Sequence, residues 1–97
     1  MIKHIVMFKI KDDYKSEILN AKARMESMIN KIEEIKALQV GIDFLHSDRS
    51  YDLVLEVLLD DEVALNKYQI NEYHITTVKD FMKKISEKSI TIDYELE

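Results

Sequence analysis

Three histidines and five tyrosines are the side chains of this 97-residue sequence best able to move protons near neutrality. Imidazole titrates at about pH 6.5, so one ring can take a proton that another group returns. Tyr68 and His74 stand six residues apart in the segment YQINEYH, and His4 lies in the opening run IKHIVMFKI. A phenol and two imidazoles in apolar surroundings suffice for aldol-type closure, enolisation or lyase chemistry without a cofactor. They serve equally well to hold the polar group of an otherwise apolar ligand. Each also has a plainer reading: a core-edge His4 with a satisfied hydrogen bond, a Tyr68 that packs its ring and wets its hydroxyl, and a His74 that is solvated or caps a helix. His46 falls beside the polar turn SDRS and reads as solvent-exposed. There is no cysteine, and no H-E-x-x-H or similar spacing, so neither a thiolate nor a histidine metal site is expected, and no cofactor.

Tyr68 and His74 can serve one site only if the chain bends between them. On an unbroken helix six residues turn through about 600°, which leaves the pair about 120° apart. Asn71 is the expected bend, because Asn tolerates the left-handed conformation that ends helices. The apolar register restarts after it, from Leu65 and Tyr68 to Val78, Phe81 and Ile85, and Thr77 with Asp80 has cap-like spacing.

The remaining elements follow from periodicity. Residues 2–10 read as a strand with His4, Val6, Phe8 and Ile10 on one face and Lys3, Ile5, Met7 and Lys9 on the other. From Tyr14 to Lys36, Ile18, Ala21, Met25, Met28, Ile29, Ile32 and Ile35 recur at helical spacing and predict one long amphipathic helix, irregular in its last turn, with methionines filling its core face. Residues 37–47 and 51–59 return to period two, around the 47–50 turn. Gly41 within the first of these strands signals a bulge or a close approach of another backbone. A short helix capped by Asp60 or Asp61 follows, then the helix beyond Asn71, then a strand over residues 89–96 with Ile90, Ile92, Tyr94 and Leu96 on one face.

The order is β-α-β-β-α-β, an α+β, ferredoxin-like, split βαβ arrangement with a four-stranded antiparallel sheet and helices on one face. Residues 1–97 form a single domain. One-sided helices leave Ile5, Met7, Leu45, Val54 and Leu58 bare, and a patch of that kind marks an interaction surface. A two-fold homodimer, sheet against sheet through Ile5, Met7, Val54 and Leu58, covers it. Lys9 and Glu56 share that face and are expected to pair at its rim.

Composition excludes several classes. There is no proline and one glycine, so no linker is expected. With 46% hydrophobic and 34% charged residues the composition is that of a soluble globular protein. The net charge is −5 and the lysines are dispersed, which argues against nucleic acid. No run approaches a membrane span, and the N-terminal stretch, interrupted by Lys3, Lys9 and Lys11, is no signal peptide. The expected location is the cytoplasm.

An opening like IKHIVMFKIKD, the strand YDLVLEV, the Y-x5-H segment and a closing IDYE together resemble the stress-responsive α/β-barrel domain, a branch of the dimeric α+β barrel superfamily, over nearly the full length. The resemblance implies two ferredoxin-like subunits packing their sheets into a barrel. In cyclase members the corresponding His, Tyr and His line a pocket between sheet and helices, which implies catalytic roles for His4, Tyr68 and His74. Val6 and Phe8 beside His4, and Phe81 on the last helix, are then the residues expected to hold a small, mostly apolar ligand. Asn71-Glu72 stands where the family often has His-Pro. The superfamily also holds haem-degrading and quinol-forming monooxygenases, a lesser fit to a chain with no tryptophan and no haem or flavin motif. Three readings remain open: a cofactor-free enzyme, a ligand-binding or stress-protective protein without turnover, and a structural dimer whose pocket is filled by its own side chains.

Overall fold

The two strands whose inner faces are most apolar lie at the centre of the sheet. In the computed structural model, which describes residues 1–96, β1 (Ile2–Ile10) pairs with β3 (Leu53–Leu59), and β2 (Ala37–Ile42) and β4 (Ser86–Glu95) take the two edges. All neighbours are antiparallel, in the order β2-β3-β1-β4. The helices α1 (Ile18–Ser27), α2 (Glu62–Ile70) and α3 (Asp80–Ile85) pack on one face. This is the ferredoxin-like fold. Period two decides which side chains meet the helices. Leu53, Leu55, Val57 and Leu59 are buried while Val54, Glu56 and Leu58 are only half-buried. They join Ile10, Ala21, Met25, Met28 and Ile85 in the core. Burying each large apolar side chain contributes roughly 1.5–3 kcal/mol. Among the described residues no helix is long and apolar enough to cross a membrane.

Several elements differ from the expectation. The stretch from Tyr14 to Lys36 is not one helix. It comprises 3₁₀ turns over Asp12–Glu17, then α1, then a further 3₁₀ turn over Met28–Asn30. Apolar spacing of three or four suits successive turns as well as a helix. Lys31 and Ile32 N–H groups both donate to the Met28 carbonyl, and Ile35 N–H to that of Ile32. Met28, Ile32 and Ile35 therefore stay buried without a continuous helix. Lys36 N–H then donates to the Leu58 carbonyl at 2.8 Å, which draws the chain into the sheet.

The strand β2 stops at Ile42 rather than 47. The Asp43 carboxylate accepts the His46 N–H at 2.7 Å, and His46 takes a left-handed φ of 54°. Phe44 and Leu45 are turned out to solvent, so Leu45 is not part of the open sheet face. Within β2 the register is unbroken, so Gly41 marks no bulge. Nor, among the described residues, does another backbone approach it; the close neighbour is a side chain, since a Cβ there would meet Val54 Cγ1 at 3.0 Å. Before β3, Asp52 is buried and accepts from Ile10 N–H at 2.7 Å and Lys15 Nζ at 2.9 Å. Its bonds tie the end of β1 to the 3₁₀ turns.

The strand β4 begins at Ser86, earlier than expected. Lys88 opposes Lys9 but Ser86 opposes Ile10, so Glu87 is the extra residue of a bulge. Beyond it Ile90, Ile92 and Tyr94 oppose Met7, Ile5 and Lys3, on the side without helices. Ser89, Thr91 and Asp93 oppose Phe8, Val6 and His4, on the helical side. The open face therefore carries Ile90, Ile92 and Tyr94 in addition to Ile5, Met7, Val54 and Leu58. Within one chain Lys9 and Glu56 do not pair. Glu56 lies opposite Ile5, which brings it 3.5 Å from Lys3, while Lys9 Nζ donates to the Ser50 carbonyl at 3.0 Å.

Candidate functional site

The site starts from a helix that stops early. Asp61 caps α2 by accepting the Ala64 N–H, and the helix runs to Ile70 with Tyr68 buried in its last turn. Asn71 breaks it, as its position suggested, but in an extended conformation (φ −62°, ψ 132°) rather than a left-handed one. Its side chain then starts the next helical run. Asn71 Oδ1 accepts from the N–H groups of Tyr73 at 2.9 Å and His74 at 3.2 Å, and its carbonyl accepts from Ile75. Asn71 thus acts as an N-cap, satisfying donors that a helix start leaves unpaired. Thr77 is no cap. It lies inside a wider, π-helical stretch over His74–Lys79 that leads into α3. Such stretches are rare and common at functional sites. Arg24 from α1 holds this one, donating to the Thr77 carbonyl at 3.1 Å with its guanidinium 4.1 Å from the Phe81 ring centroid.

The break brings the three expected rings together. Tyr68 sits between the imidazoles, its ring centroid 5.6 Å from that of His4 and 4.4 Å from that of His74. All three are buried. They line a cavity of about 260 Å³ with Val6, Phe8, Leu55, Val78 and Met82 on its apolar side, and with Gln69, Lys79, Lys83, Ser86, Ser89 and Thr91. That volume is just under the roughly 300–1,000 Å³ of most small-ligand pockets. Phe81 does not line it. Stacking under Arg24 turns that ring toward α1 instead.

Each polar group has a distinct electrostatic situation. His4 Nδ1 faces Asp93 Oδ1 at 2.5 Å, so the ring carries its proton there and directs Nε2 elsewhere. His74 Nδ1–H donates to the Gln69 carbonyl at 3.2 Å, which leaves Nε2 as a proton acceptor. Burial lowers the His74 pKa below its ordinary value. The nearby His4 and Lys79 push the same way, and the Gln69 carbonyl opposes them. Burial pushes the Tyr68 phenol well above its ordinary pKa, so it remains a protonated donor. Its hydroxyl is fully buried with no hydrogen-bond partner among the described residues, a rare state for a polar atom. Among the described residues no group of acidic, histidine or cysteine side chains is placed to hold a metal ion. His46 is largely exposed, as its position implied.

Asp93 was not among the expected site residues. Its signal lay in the IDYE segment, where alternation puts Asp93 on the face opposite Ile92 and Tyr94. Only the β1–β4 register shows that this face meets His4.

Similar folds occur in several solved structures. A protein from Arabidopsis thaliana matches with a TM-score of 0.87 and 21% identity, over 100% of this chain and 96% of its own. A dimeric protein of unknown function with a ferredoxin-like fold, from Bacteroides fragilis, matches at 0.85 and 24%, over 98% and 95%. The hydroxynitrile lyase from Passiflora edulis matches at 0.84 and 19%, over 99% and 93%. No curated protein matches the chain in sequence. The family model of the stress responsive A/B barrel domain matches residues 2–96, and the chain belongs to that family.

Proposed function

We propose that the protein is a two-fold homodimer in which each subunit binds a small, mostly apolar molecule and acts on it by cofactor-free acid/base chemistry of the cyclase or lyase kind. The observation that carries this reading is the Tyr68 hydroxyl, buried and unpartnered between two imidazoles on the wall of a cavity. A native protein leaves few such donors unused, and a substrate oxygen supplies the missing acceptor. In the proposed step His74 Nε2 takes a proton from a substrate hydroxyl or an acidic carbon. Tyr68 donates a hydrogen bond to the oxygen where negative charge develops or resides. In a lyase reaction the carbon–carbon bond then breaks, its electron pair leaves with the departing carbanion, and the protonated His74 returns the proton to it. Asp93 fixes the orientation and tautomer of His4. Val6 and Phe8 hold the apolar part of the ligand.

The Passiflora edulis protein of this fold is a hydroxynitrile lyase, so release of benzaldehyde from mandelonitrile is a suitable first assay, alongside cyclisation of aryl polyketones. His74→Ala should lower any turnover by about 10²–10⁴-fold, the range of a general base. Turnover unchanged in that variant would sink the assignment. The lowered basicity of His74 favours a second reading, ligand binding without turnover, because a weak base removes only fairly acidic protons. In that case His74→Ala weakens binding and there is no rate to lose. The homodimer is supported by the apolar open face and by the dimeric Bacteroides fragilis protein of the same fold.

A further inference from the structure

The cavity has a second polar region that the acid/base step does not use. Lys79 ends the π-helical stretch and Lys83 follows four residues later on α3, and both line the cavity. Neither ammonium has a hydrogen bond or ion pair among the described residues, and no carboxylate lines the cavity with them. Asp93 is already engaged by His4 and is not part of the lining. Ser86, also in the lining, has a buried Oγ with no hydrogen-bond partner among the described residues. The ammonium groups of Lys31, Lys67 and Lys84 also lack such partners among the described residues, so the distinguishing feature is placement: two ammonium groups and an unpaired hydroxyl meet around one cavity in a chain of net charge −5.

We infer that the ligand of this cavity is an anion: a small molecule with an apolar body and a carboxylate, the carboxylate held by Lys79 and Lys83 with the Ser86 hydroxyl as a further donor. The inference rests on the cavity being a ligand site, as proposed above. It adds the charge of the ligand and its orientation, with the apolar body against Val6, Phe8 and Met82 and the acid group toward the lysines. Ammonium groups are point-charge donors suited to a carboxylate that approaches from solvent, and both side chains are exposed enough to receive one.

Phenylacetate and phenylacetamide test this as a matched pair, equal in shape and different in charge. Their dissociation constants would be measured by NMR titration against the whole protein at low ionic strength. Phenylacetate should bind about three- to tenfold more tightly, the range expected of two exposed ion pairs. The preference should shrink in high salt, where such pairs are screened. In Lys79→Gln/Lys83→Gln the two probes should bind alike, while His74→Gln should keep the preference for the acid. Equal binding of both probes to the unmodified protein, or a preference that survives the double lysine substitution, overturns the anionic assignment and leaves the acid/base reading standing. Binding of neither probe overturns the ligand cavity itself, and both readings fall together.

Discussion

The Tyr68 hydroxyl contributes nothing to stability in the free protein, because it gives up water and gains no partner. Tyr68→Phe should therefore leave the unfolding midpoint unchanged or raise it, by up to about 1 kcal/mol of stability. The same change should weaken ligand binding or turnover. A clear loss of stability in thermal melts would mean that the hydroxyl has a partner after all. His74 makes a second prediction, through pH. Unfolded, its imidazole titrates near 6.5, and folded it titrates lower because it is buried. Between those values the unfolded chain binds more protons than the folded one. The stability associated with a neutral His74 is thus complete above pH 6.5 and is lost as pH falls through the folded pKa. Urea unfolding from pH 7.5 to 5 should show a steeper decline for the unmodified protein than for His74→Gln, and parallel curves would refute the buried, depressed histidine. Residue types raised His4, Tyr68 and His74 as candidates, but spacing alone left each with a plainer reading, and it was the family resemblance that grouped them as one site. Asp93 and the free lysines were not legible in the same way. Each is one of many charges in the sequence, and only strand register or helix phase brings it to the cavity.

At the scale of elements, the site depends on how α2 ends. A break was readable from the 120° mismatch between Tyr68 and His74, together with the restart of the apolar register. Its mechanism was not, because whether an Asn bends the chain by a left-handed turn or by capping the next helix is decided by which N–H groups lie within its reach. Here they are those of Tyr73 and His74. Asn71→Ala removes that acceptor and should cost about 1 kcal/mol, while Asn71→Asp should retain most of it. Chemical denaturation gives the first quantity. The His74 ring signals in NMR report whether the imidazole has moved, and they should shift in the Ala variant and much less in the Asp variant. The first helix shows the opposite limit. Its apolar spacing correctly named the buried residues Met25, Met28, Ile32 and Ile35, yet period three cannot separate an α-helix from consecutive tight turns. Strand β4 adds a third case. Alternation divided its faces correctly, but which face meets the helices depends on pairing with β1. That pairing sets Ser89 and Thr91 against the cavity and Ile90 and Ile92 on the open side.

The whole molecule presents a sheet with helices on one side and an apolar surface on the other. Across the central and edge strands, Met7, Ile90, Ile92 and Tyr94 are between 39% and 58% exposed, with Ile5, Val54 and Leu58 half-buried among them. Apolar side chains of this size, contiguous through the β3–β1–β4 pairing, form the kind of patch that monomers rarely leave bare. In the proposed homodimer a second copy covers it by a two-fold, self-complementary contact. The predominantly apolar β4 residues extend the surface beyond the four positions that the sequence pattern suggested, so its centre falls near Met7 and Ile92. Met7→Asp places a charge there on both sides of the axis, unpaired and desolvated, and an unpaired buried charge opposes association strongly. Light scattering at micromolar concentration should give the unmodified protein twice the 11.5 kDa of one chain, and the Met7→Asp protein a mass nearer that of a single chain. Met7 points away from the core, so the variant's far-ultraviolet circular dichroism should still report helices and sheet. Ile92→Asp, on the neighbouring strand of the same face, should act in the same direction, whereas Lys67→Asp on the exposed side of α2 should leave the mass unchanged. An unmodified protein that scatters as a single chain under these conditions would remove the dimer from the proposal, and the open face would then need another occupant.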